Sequence, residues 1–188
     1  MSRPIRADAR RNHDLLLSAA KEVFAERGAD APLDDVARRA GVGNATMYRH
    51  FPTRQELIIA VYSDEVTALC ERGEALLQEE AAGDALFGWL GAFIAHVATK
   101  RELALALTDD RAGRRSALFE RWHEAMHATA SALLVRARRA GAVRAGLDVA
   151  DLLALANGIA LTGADDARIH RLIDLIRTGA DAGPEPAI

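Results

Sequence analysis

The sequence predicts an all-α protein of about nine helices with no sheet, and three observations carry that expectation. Alanine, leucine and arginine dominate a chain of 188 residues in which half are hydrophobic, enough to fill a core. The apolar residues recur three and four apart, the spacing of one helix face, and runs of alternating polarity rich in Val, Ile and Thr are missing. Glycines, prolines and Ser/Thr/Asp caps punctuate the periodic stretches at helix-length intervals.

The first helix is expected from about Asp8 to Arg27. Leu16, Ala19, Ala20, Val23 and Phe24 form its inward stripe, and Gly28 ends it. A second helix begins at Leu33, where Leu33, Val36, Ala37 and Ala40 share a face and Asp34 and Asp35 suit the positive end of the helix dipole. Gly41 is placed to stop it in a left-handed conformation, with Val42 plugging the angle before a third helix. In that helix Met47 and Phe51 face inward. Asn44, Ala45, Thr46, Tyr48, Arg49 and His50 are left for the outside or the N-terminal end, and these are residue types that read DNA grooves.

Thr53 and Glu56 have the spacing of a capping box opening a long fourth helix, through Leu57, Ile58, Val61, Tyr62, Val66, Leu69, Leu76 and Leu77. Gly73 is expected to bend or weaken it, and Gly83 and Asp84 to mark its end. A fifth helix follows over about 85–100, a short sixth over about 102–107, then a DDRAGRR loop. The seventh is expected over about 116–140, the eighth over about 149–161 and the ninth over about 166–178, ahead of a frayed GPEPAI tail.

Residues 15 to 62 approximately resemble the helix-turn-helix region of the TetR family of transcriptional repressors. The matching segments are VFAERG, VARRAGV, TMYRHF and the TRQEL start of the fourth helix. The resemblance implies an N-terminal three-helix helix-turn-helix DNA-binding domain with its arm (1–52), a C-terminal helical effector-binding and dimerisation domain (53–180) and a flexible tail (181–188). Beyond residue 62 only the general layout matches.

Within that frame Asn44, Ala45, Thr46 and Arg49 are candidates for base edges, since an amide pairs with adenine, a guanidinium with guanine and a methyl with thymine. Tyr48, His50 and Arg54 fall on family positions that usually contact phosphates, which orient the protein without specifying sequence. Arg3, Arg6, Arg10 and Arg11 make a flexible basic arm suited to phosphates or the minor groove. Two positions depart from the family pattern. Ala31, Pro32 and Leu33 stand where a phosphate-binding Thr or Ser is common, and Gly43 replaces the usual serine cap.

Charge is divided in the same sense. Residues 1–54 hold ten Lys or Arg against seven acids, or +3, while the whole chain is −3, leaving −6 for the remainder. A basic head on an acidic body suits a protein that approaches phosphate at one end. Cys70 is the only cysteine, so no internal disulfide forms, and the charged N-terminus has no apolar signal segment. The longest apolar stretch, 84–100, is shorter than the roughly 20 residues of a membrane span. A cytoplasmic protein without membrane partners is expected.

For the body, Trp89, Phe93 and His96 on the fifth helix, and Phe119, Trp122, His123, Met126 and His127 on the seventh, are candidates to line a pocket for a small, partly aromatic apolar effector. Gly88 and Gly91 hint at close helix approach or reserved space. Leu152, Leu155, Ala156 and Ile159, with Ile169, Leu172, Ile173 and Ile176, are candidates for a homodimer interface. Dimers set two recognition helices about 34–36 Å apart to meet successive major grooves of a double-stranded palindromic operator. Effector binding is expected to release the operator through the fourth helix.

His123, Glu124 and His127 also spell H-E-x-x-H, which leaves a metal-responsive regulator and a zinc-dependent hydrolase as alternatives. The hydrolase reading lacks its third ligand: position 130 is alanine rather than the glycine of the extended pattern, and the only downstream glutamate is Glu185 in the tail. The sequence assigns no cofactor, no catalytic residue and no metal ligand.

Overall fold

The computed structural model describes residues 3–106 and 114–180, with side chains over 7–98 and 117–180. Eight helices appear among the described residues: α1 (Arg3–Arg27), α2 (Leu33–Ala40), α3 (Asn44–His50), α4 (Arg54–Leu76), α5 (Ala82–Ala106), α6 (Arg114–Arg139), α7 (Val149–Leu161) and α8 (Asp166–Ala180). They fall into two compact units, Met1–Asp64 with Lys100–Arg115 and Glu65–Thr99 with Ser116–Ile188.

The first unit is built on the predicted stripes. Leu16, Ala20 and Val23 of α1, Val36 and Ala37 of α2, Met47 of α3 and Leu57, Ile58 and Val61 of α4 are essentially without solvent contact. The first turns of α4 therefore belong with this unit, which extends past the boundary expected at residue 52. Thr53 caps α4 by accepting the Glu56 amide at 3.2 Å. Helix α1 starts at Arg3 rather than near Asp8, so Arg10 and Arg11 project from a helix and not from a flexible arm. The side chains of Arg3 and Arg6 lie outside the described residues.

The second unit centres on α5, where Leu86, Trp89, Leu90 and Ile94 are buried, as are Phe87 and Phe93 on the flanks. Asp84, Gly88 and Ala95 stay exposed on one side, so α5 buries a wide stripe and leaves a narrow open one. The Trp89 indole donates to the Leu69 carbonyl at 3.0 Å and stacks on Phe93 with ring centroids 5.6 Å apart. Helix α7 begins and ends where expected, its amide at Ala150 bonded to the Asp148 carboxylate at 2.7 Å.

The helix count is corrected. The fifth and sixth helices are one, because KRELALA contains neither glycine nor proline and its Glu, Leu and Ala are good helix formers. The described helices thus number eight rather than nine, while much of the DDRAGRR loop and the tail lie outside the described residues. Gly73 does not interrupt α4 but sits inside it. A Cβ at Gly73 would overlap Thr129 Cγ2 of α6 and come within 3.0 Å of the Trp89 indole nitrogen. The glycine permits close passage of two helices.

Gly73→Ala tests that account with a reversal of sign. In an open helix the change would stabilise by about 1 kcal/mol, whereas here overpacking should cost about 1–3 kcal/mol in urea unfolding. Adding Thr129→Ser, which removes Cγ2 and keeps the hydroxyl bonded to the Ala125 carbonyl, should recover most of the loss.

Candidate nucleic-acid interface

The turn between α2 and α3 is set by Gly41, whose φ of 69° and ψ of 27° are left-handed. A side chain there would be strained, while glycine adopts the angles freely. Its amide bonds the Arg38 carbonyl at 3.2 Å and the Val42 amide bonds Ala37 at 3.0 Å, satisfying carbonyls that a helix end leaves open. Gly43 is extended, and its carbonyl accepts the amides of Thr46 at 2.9 Å and Met47 at 3.1 Å, so α3 starts without a side-chain cap.

Met47 is fully buried and Phe51 nearly so, which fixes the rotation of α3. Asn44, Ala45, Tyr48 and Arg49 are exposed, with Tyr48 at 47% of its full surface, and Thr46 and His50 are half-buried. His50 meets His13 of α1 edge-on at 6.2 Å, and His13 packs on Phe51 at 5.2 Å. One short helix thus presents an amide, a hydroxyl, a methyl, a phenol and a guanidinium on its outer side.

Four other cations of this unit are paired with acids among the described residues. Lys21 bonds Asp64, Arg27 and Arg38 share Asp35, and Arg39 reaches Glu26 at 2.6 Å and Glu22 at 3.3 Å. Hydrogen bonding and charge from Arg39 hold the Glu26 carboxyl below its ordinary range. Its folded-state value being the lower one, the pair supports folding above the ordinary carboxylate range and loses that support as pH falls through the lowered value. Arg10, Arg11 and Arg49 are exposed and have no ion-pair partner among the described residues.

Arg54 has a duty that the sequence did not suggest. Its Nη1 donates to the carbonyls of Ala29 and Ala31 at 2.8 and 2.6 Å, tying the start of α4 to the turn before α2. Those carbonyls lie in a Gly-Ala-Asp-Ala-Pro turn where proline removes a donor, a signal that an outside donor is needed.

In the second unit Trp89, Phe93, His96, Trp122 and Met126 are buried, and Phe119 is half-buried with its ring edge-on to Trp122 at 5.2 Å. His96 Nδ1 stands 3.8 Å from a Glu65 carboxylate oxygen. His123 and His127 are exposed, which removes them from the expected pocket lining; the inward positions of that stretch are taken by Trp122 and Met126. A surface groove of about 450 Å³ lies between α5 and α8 and includes Phe87, Gly88, Gly91, Ile169 and Ile173. Gly88 has nothing within contact distance of a built Cβ, and Gly91 faces Ile173 at 3.4 Å.

Leu152, Ala156 and Ile159 are buried within the chain, which corrects their assignment to a dimer interface. Leu155 is 52% exposed, and Ile169, Leu172, Ile173 and Ile176 are half-buried. Leu161 and Leu175, at 58% and 69%, were missed. They are exposed leucines on α7 and α8, and only the burial of the opposite stripe reveals them. Among the described residues no three His, Cys, Asp or Glu side chains gather into a metal cage, and no helix is long and apolar enough to cross a membrane.

A glycine-turned helix pair with a polar, partly basic outer helix defines a helix-turn-helix DNA-binding transcriptional regulator. Residues 16–61 match the pattern described as bacterial regulatory proteins, tetR family, and residues 81–181 match that described as transcriptional regulator SbtR-like, C-terminal domain. The chain belongs to the TetR family. It is similar to the TetR transcriptional regulator SCO0520 from Streptomyces coelicolor, at 36% identity over 92% of this chain and 99% of that one, with a TM-score of 0.76. A TetR regulatory protein from Mycobacterium vanbaalenii is 35% identical over 95% and 99%, with a TM-score of 0.74. The HTH-type transcriptional activator FasR of Mycolicibacterium smegmatis is 46% identical over 55 residues, 29% of this chain and 25% of that protein. That match spans only a quarter of FasR.

Arg54→Gln tests the tie to the α1–α2 turn. Loss of two hydrogen bonds from a charged donor should cost about 2 kcal/mol of stability. An unchanged melting temperature with a shallower salt dependence of DNA binding would return Arg54 to phosphate contact alone.

Proposed function

We propose that this regulator is a homodimeric repressor that holds a palindromic operator and releases it when a small molecule binds the helical body. The observation that carries the reading is the orientation of α3. With Met47 and Phe51 buried, its outer side presents Asn44, Ala45, Thr46 and Arg49 to base edges and Tyr48 and His50 to flanking phosphates. Arg10 and Arg11, exposed on α1, extend the phosphate contact.

The paired state of Lys21, Arg27, Arg38 and Arg39 supports a modest electrostatic footprint. Each phosphate neutralised releases counterions and steepens the salt dependence, so the pairing of these four side chains with acids lowers the slope they would otherwise add. In comparisons of a cognate with a random-sequence duplex, Tyr48→Phe should weaken both alike. Asn44→Ala should cost about 1–3 kcal/mol on the cognate duplex only. Equal losses on both duplexes for both variants would overturn the division of labour.

Dimerisation is supported by large apolar residues left in solvent on α7 and α8, Leu155, Leu161 and Leu175, since soluble surfaces rarely gather such groups without a partner. The family relation supports the same pair of helices. Light scattering should return twice the chain mass, and Leu155→Glu with Leu175→Glu should return a folded monomer. A wild-type monomer would refute the dimer.

Release follows if the effector binds more tightly to a head spacing that does not fit successive grooves. Helix α4, contributing residues to both compact units, is the proposed carrier. The buried aromatic residues Trp89, Phe93 and Trp122 support an apolar, partly aromatic effector.

A further inference from the structure

His13 of α1 has no part in the DNA contact proposed for α3, yet it stands against the end of that helix. Its ring meets His50, the last residue of α3, edge-on with centroids 6.2 Å apart, and packs on Phe51 at 5.2 Å. His50 and Phe51 are 6.4 Å apart. Three rings thus close one seam between α1 and α3. Phe51 is buried, whereas the His13 side chain keeps 42% of its surface and His50 is half-buried. Both imidazoles therefore reach solvent.

On α1, an Asp14 carboxylate oxygen lies 3.5 Å from His13 Nδ1, and the exposed Arg10 comes one turn earlier. On α3, Arg49 precedes His50 and is exposed. From α2 and α4 no acid pairs with either ring among the described residues: Asp35 takes Arg27 and Arg38, and Asp64 takes Lys21. Arg54, at the start of α4, gives its hydrogen bonds to the Ala29 and Ala31 carbonyls. With one carboxylate and two unpaired guanidinium groups as neighbours, the imidazole pair sits where an anion is welcome.

An imidazole changes charge between about pH 5 and 8. A phosphate within about 4–6 Å favours the charged form. Coupling of this kind is reciprocal, so the proton favours the phosphate by the same factor. We propose, resting on the phosphate role given to His50, that His13 is a second phosphate-binding imidazole and that the His13–His50 pair makes DNA affinity depend on pH. The backbone of the strand beside α3 is met by His50 from that helix and by His13 from α1. Each ring takes up a proton as the phosphates arrive, so binding tightens on acidification.

Fluorescence anisotropy with a random-sequence duplex at fixed salt, from about pH 6 to about pH 8, tests the pair, since phosphate contacts carry no sequence information. Wild-type affinity should fall with rising pH by about tenfold for each imidazole, the equivalent of one pH unit of coupling. His13→Gln and His50→Gln should each remove one of these two steps, and the double variant both. Calorimetry in two buffers of unequal ionisation heat should show net proton uptake when the wild type binds the duplex. That readout needs no substitution, and packing of His13 on Phe51 alone would not produce it. Wild-type affinity that does not change with pH, or His13→Gln with the full wild-type fall, would overturn the proposal. If Tyr48→Phe still weakens binding in that case, the phosphate contact of α3 stands and the His13 pair alone is lost.

Discussion

Gly41 turns the chain through a conformation that other residues enter only with strain, and the rest of the DNA-binding unit depends on that turn. It ends α2 after two turns and sends α3 off at an angle from which Met47 can reach the core formed by Leu16, Val36 and Leu57. Burial of Met47 and Phe51 then fixes which residues are outermost. The residues that α3 presents outward are thus chosen by packing behind them. A β-branched residue at Gly41 would disturb the interface without touching it.

Electrostatics supplies a second constraint. The basic excess of the N-terminal segment is small, and half of its ten cations are engaged: Arg39 by two glutamates, Arg27 and Arg38 by one aspartate, Lys21 by Asp64 and Arg54 by two carbonyls. These exposed pairs add little to stability individually. They leave Arg10, Arg11 and Arg49 as exposed cations with no ion-pair partner among the described residues.

The parts of the fold legible in the sequence are those fixed by local chemistry. Gly28, Gly41 and Gly43 mark ends that caps and glycine angles impose, and α7 runs from Val149 to Leu161 because Asp148 caps it. Less was legible where the decision is made by neighbours. Nothing in the apolar pattern of α7 tells whether Leu152, Ala156 and Ile159 or instead Leu155 and Leu161 face the chain's own core. Gly73 reads as a weak point until Thr129 and Trp89 are found against it. Arg54 reads as a phosphate ligand until the open carbonyls of Ala29 and Ala31 are found beside it. His123 and His127 look like pocket residues because their neighbours are aromatic, yet helix rotation sends them outward.

The central claim is that the outer side of α3 reads base sequence as one half of a two-fold pair. Repeated selection of random duplex DNA by the purified protein tests it most directly. The account predicts enrichment of an inverted repeat whose half-site centres lie about one helical turn, or a multiple of it, apart. Failure to enrich any sequence at low salt, or enrichment of a single asymmetric site, would contradict it.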